Sequence, residues 1–158
     1  MAAEQAHGPL AAPEHDPSAR QRRAAVAVVA AWLVPGLGHL LLGRTGRAAV
    51  FAVLVWGSFG LGLAHDGRLA LRDDRQPFLT TLQIVANLGV GPADPLARLA
   101  VYGSPAYRFG GTNRRVDIFR HRERSPVAIY GTAYLWTAGL MNLLLLFDVW
   151  DIGRGKKP

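Results

Sequence analysis

VAIYGTAYLWTAGLMNLLLLFDVW, residues 127–150, decides how the rest of the chain is read. Its 24 residues hold one charge, Asp148, and as a helix it would run about 36 Å, longer than the roughly 30 Å hydrocarbon core of a bilayer. Pro126 suits its first turn, because a proline there removes no helical hydrogen bond. Tyr130 and Tyr134 near one end and Trp150 at the other fall where amphipathic rings collect at membrane interfaces. Gly153-Arg-Gly-Lys-Lys-Pro158 follows as a basic stop, so the segment reads as a membrane-spanning helix.

The same pattern recurs toward the amino terminus. AAVFAVLVWGSFGLGLA, residues 48–64, has no charge and reaches the lower limit of length for a span. AAVAVVAAWLVPGLGHLLL, residues 24–42, is uncharged as well, but Pro35-Gly36 interrupts it: proline removes a helix hydrogen bond and glycine permits a sharp turn. Residues 79–91, ending at Gly91-Pro92, are too short to span and read as an interfacial or re-entrant helix. A full span as far as residue 101 is the rival reading, and it would have to carry Asp94 and Arg98 across. Residues 102–126 read as an Arg/aromatic loop, and residues 1–19, rich in Pro, small residues and charge, as a disordered tail ahead of one membrane domain, 20–158. The expected fold is all-α, an integral membrane helical protein with three to four membrane segments, the first broken at Pro35-Gly36.

Composition sharpens this picture. The 158 residues include no Cys, which excludes a disulfide scaffold, a Cys-ligated metal centre and a thiol nucleophile. The formal net charge is +7, from 18 Lys+Arg against 11 Asp+Glu, and every base lies outside the three long apolar blocks. Such basicity is juxtamembrane and suits anionic phospholipid headgroups; no nucleic acid is expected. Positive clusters flank both ends of the membrane domain, Arg20, Arg22 and Arg23 at one and Arg154, Lys156 and Lys157 at the other. Three straight spans would put these clusters on opposite sides, against the positive-inside rule. A hairpin folded at Pro35 removes the conflict by returning Arg44 and Arg47 to the entry face. Four spans would remove it too, but would leave Arg44 and Arg47 outside.

PGLGHLLLGRTGRA and GTAYLWTAGLMNLLLLFDVWDIGRG carry a resemblance to a family of small bacterial membrane proteins known as a domain of unknown function. The matching positions are Pro35, Gly36, Gly38, His39, Gly43, Arg44, Gly139, Asn142 and Asp148. The resemblance implies a multi-pass protein of the bacterial inner membrane and brings no activity with it. A weaker similarity links residues 34–47 to the two-transmembrane-helix module, although Gly43-Arg-Thr-Gly-Arg47 departs from that module's Asp-Arg-Phe turn.

The candidate sites follow from these segments. Pro35, Gly36, Gly38, His39, Gly43 and Arg44 form the helix-break and hairpin motif. Within it, His39 is a proton carrier or a ligand, or else it simply bonds a carbonyl freed by Pro35. Ser58, Gly60, Gly62, Gly139 and Asn142 are helix-packing residues, small enough for close approach or able to bond across helices. Asp148 and Asp151 are interfacial acids that pair with Arg154 or Arg44, or else mark an ion path. Arg108, Arg114, Arg115, Arg120, Arg122 and Arg124 suit lipid headgroups. Neither a catalytic constellation nor a metal or cofactor motif is present. The expected role is a non-enzymatic structural or interaction subunit that binds anionic lipid and either a membrane-protein partner or a second copy. The alternative is a transporter or channel component using His39, Asn142 and Asp148.

Overall fold

The computed structural model describes residues 17–108, 114–122 and 125–156. Seven α-helices and no strand occur among them: α1 Pro17–Leu33, α2 Leu37–Leu41, α3 Thr45–Ala64, α4 Pro77–Leu88, α5 Ala93–Tyr102, α6 Arg114–Arg122 and α7 Pro126–Gly153. Two of these helices, α3 and α7, are long and apolar enough to cross a membrane. Ser125 caps α7 in an extended conformation, its side chain accepting from the Val127 N–H, with Pro126 in the first turn.

Helix α7 is the axis on which α1, α2, α3 and α4 pack, while α5 packs against α4 and α6. Helix α3 runs antiparallel to it, Gly62 lying against Leu135 and the Gly131 carbonyl. Helix α1 is antiparallel as well, with Ala24 against Gly153 at one end and the Ala31 carbonyl beside Asn142 further along. Helix α4 runs parallel to α7: Ala86 crosses at Gly139, and Gly89 reaches Asn142 and Leu143. Val55, Phe59, Leu69, Val90, Ala97, Tyr102, Leu135 and Leu145 form the main buried cluster, and Ala27, Ala31 and Val149 form a smaller one under α1.

Two helical hairpins result. Gly36, with φ of 93°, turns the chain after Pro35 so that α2 folds back along α1 and Gly38 comes against Ala27 and Ala31. Leu42 and Arg44 thereby return to the neighbourhood of Arg20 and Arg23. Gly91, with φ of 77°, makes the corresponding turn between α4 and α5, where the Trp32 carbonyl leaves no room for a Cβ.

Several elements differ from the sequence reading. Helix α1 begins at Pro17, so residues 17–19 are helical and do not belong to a disordered tail; residues 1–16 lie outside the described residues. The short helix expected over 79–91 is present as α4, and the unexpected α5 follows it because Gly89 to Pro92 break the path. No straight span runs from residue 79 to 101. The expected loop 102–126 contains α6, whose nine residues carry four Arg, one His and one Asp and so hide any apolar period.

Candidate functional site

The tips of the two hairpins meet on α7. Pro35 has no N–H to offer the carbonyl four residues back, so Ala31 is left without its helical donor. Asn142 replaces that donor: its Nδ2 donates to the Ala31 oxygen at 3.4 Å and to the Gly89 oxygen at 2.8 Å. Trp32 adds a third link, its indole N–H donating to the Leu88 oxygen at 3.2 Å. One amide side chain, fully buried, therefore satisfies the broken end of each hairpin. Asn87 is buried in the same region, and neither of its amide atoms has a partner among the described residues.

Toward the end of α7, Nε2 of the fully buried His39 stands 3.2 Å from Asp148 Oδ2. The Nε2–H tautomer donates to the carboxylate, and the ring leans on Phe51 with centroids 5.0 Å apart. This differs from the sequence reading: the carbonyl freed by Pro35 is taken by Asn142 and not by His39, and Asp148 reaches His39, a pairing that reading did not include. Buried on α2, His39 is presented to α7 by the fold-back at Gly36. The Asp148 side chain keeps 26% of its surface exposed, so the pair joins a buried ring to the outside.

A third polar group lies at the other end. Asp94 and Arg98, one turn apart on α5, are both fully buried and joined by Arg98 Nε to Asp94 Oδ2 at 2.8 Å. The Tyr107 hydroxyl donates to the same oxygen at 2.8 Å, and the guanidinium sits 4.1 Å from the centre of its ring. Burial, then the hydrogen bond to Asp94 and the charge of that carboxylate, push the Tyr107 phenol up to about 12 from its ordinary 10.0. A raised phenol stabilises the fold below pH about 10 and loses that contribution as pH rises through about 12. Alkaline phenolate absorbance should therefore show Tyr107 ionising near pH 12, and that contribution should be missing in Tyr107→Phe.

The remaining predicted residues divide by role. Gly36 lies against Ala48 and Ala52, and Gly62 and Gly139 are at helix crossings. Gly60 faces outward with nothing within 4 Å of where a Cβ would stand, while Ser58 is half-buried. Gly43 turns the chain into α3, and Arg44 is half-buried near Arg20. Asp151 is half-buried on the last turn of α7. Arg108 pairs with Asp74 at 2.7 Å, Arg122 approaches Asp66 at 3.9 Å, Arg115 lies over Gly103, and Arg114 lines an open cleft with Asp117 and His121. Arg124 and the side chain of Arg120 lie outside the described residues.

Sequence reasoning missed Asn87, Tyr107 and the Asp94–Arg98 pair as site residues, although the four-residue spacing of the acid and base was legible. Among the described residues no three ligating side chains gather into a group fit for a metal ion. Neither a curated protein nor a solved structure matches the chain. A family model does match, over residues 26–158, from within α1 through both hairpins to the end of α7, and on that match the chain belongs to DUF6677, a family of unknown function.

Proposed function

We propose that the chain is a small multi-pass protein of the bacterial inner membrane that works, without catalysis, as an interaction subunit. The location is supported by α3 and α7 and by an inverted distribution of polarity. Val53, Phe78, Ile129 and Phe147 are each at least 70% exposed, whereas Asp94, Arg98, His39 and Asn142 are fully buried. In this reading α3 and α7 cross, and the two hairpins enter from opposite faces to meet at Asn142. Their irregular backbone is tolerated because protein covers it. Arg20, Arg22, Arg23, Arg44, Arg47 and Arg154 then share the cytoplasmic end.

The observation that carries the interaction role is the open face of α3. Gly57 and Gly60 have open space for 4 Å around where a Cβ would stand, while Gly62, Gly131 and Gly139 are all occupied by internal crossings. Exposed Val50 and Val53 continue the open face. In lipid, association relies on close backbone approach at such small residues. The partner is a membrane helix of another protein or a second copy, with anionic headgroups at Arg108, Arg114, Arg115 and Arg122. Gly60→Leu should cut in-membrane cross-linking or partner co-purification several-fold with thermal stability unchanged. Undiminished association would sink this role.

Transport by His39, Asn142 and Asp148 is favoured by a different observation, the buried polar atoms of Asn87, Asp94, Arg98 and His39 that lack partners among the described residues. Proton or solute flux abolished in an intact, normally assembled Asp148→Asn protein would carry that reading instead.

A further inference from the structure

Arg20, Arg23 and Arg44 line a 360 Å³ cleft with Leu42, Ile152, Gly153 and Gly155, where the first hairpin meets the end of α7. A second cleft of 320 Å³ adjoins it, shares Arg23 and Leu42, and is lined otherwise by Arg22, Val26, Ala27 and Leu41. We propose that the two together form a binding site for one anionic glycerophospholipid, its phosphodiester among the three arginines and an acyl chain along the Val26–Leu41 groove. This rests on the membrane location proposed above. It assigns headgroup binding to residues distant in sequence from the Arg108–Arg122 group.

Charge and shape both argue for this ligand. Among the described residues no acidic side chain lines either cleft, and three guanidiniums facing one space repel each other unless an anion lies between them. A guanidinium presents a planar fork of donors suited to phosphate oxygens. The site is built by the fold: Gly36 returns Arg44 to the level of Arg20, and Gly153 packs on Ala24 so that α7 closes the third side. An inorganic anion would use the arginines alone. The apolar groove beside them, with Val26 at 63% and Leu41 at 49% exposure, selects a lipid.

The test uses the full chain in neutral detergent micelles, with bound phosphatidylglycerol counted by native mass spectrometry against phosphatidylcholine. Each arginine near a membrane surface contributes roughly a fivefold factor in anionic-lipid binding. Arg20→Gln/Arg23→Gln/Arg44→Gln should therefore weaken binding of the retained phosphatidylglycerol on the order of a hundredfold. The equally discharged Arg68→Gln/Arg72→Gln/Arg75→Gln, at exposed positions outside both arginine groups, should keep it. Val26→Trp, which fills the groove and leaves every charge in place, should also weaken it, so the proposal stays testable if the triple variant misfolds. Equal loss in both triple variants would reduce the effect to general charge and overturn the site. Displacement by inorganic phosphate at the concentration of the lipid would overturn the lipid assignment. Release of the chain from membranes by alkaline carbonate would instead refute the membrane location, a result distinct from either.

Discussion

Arg98→Met should destabilise the protein by about 3–5 kcal/mol, because it leaves a fully buried carboxylate at Asp94 without the cation that neutralises it. The methionine keeps most of the side-chain volume, so packing loss alone would account for a much smaller effect. Tyr107 would still donate to Asp94, but one neutral donor does not replace a guanidinium 2.8 Å away. The double variant Asp94→Asn/Arg98→Met should recover most of the loss, since it removes the charge along with its partner. Denaturation midpoints of the wild type, both single variants and the double variant, in one detergent, complete the cycle. A single-variant loss under about 1 kcal/mol would mean that water reaches the pair.

Gly139→Leu should be comparably severe for a steric reason. The Cβ of any larger residue there falls on the Ala86 carbonyl oxygen, a backbone atom that no rotamer change can move aside. Helix α4 would have to lift from α7, taking with it the bond from Asn142 to the Gly89 oxygen. Overpacking of this kind costs about 3 kcal/mol, or more where backbone is displaced. Gly57→Ala is the matched control, with open space around it and a gain in helix propensity. Equal stability of the two variants would show that α4 and α7 do not cross closely at Gly139.

The sequence was most informative where a property is local. Helices α3 and α7 stand out because long apolar runs need no knowledge of neighbours, and the break at Pro35-Gly36 follows from backbone chemistry alone. Helix α5 was hidden by its own charges. Asp94 and Arg98 argue against burial when weighed singly, yet on one helical turn they cancel each other and go inside. The site was less legible still. Asn142 finds its acceptor 111 residues away in sequence and His39 its carboxylate 109 residues away, distances over which periodicity carries no information. Gly60 and Gly62 look alike in the chain; the angular position of each on α3 separates the outward-facing one from the one pressed on Leu135.

The linkage through Asn142 also bears on how the chain is made. Both hairpins precede α7 in synthesis, so each emerges with a carbonyl at its broken end that has no protein donor until residue 142 arrives. Neither tip can reach its final burial before then, and the packing of α1–α2 and α4–α5 stays reversible. Helix α7 thus acts as a keystone, turning two provisional hairpins into one locked assembly, and the order of translation is the reverse of the order in which the interior becomes fixed.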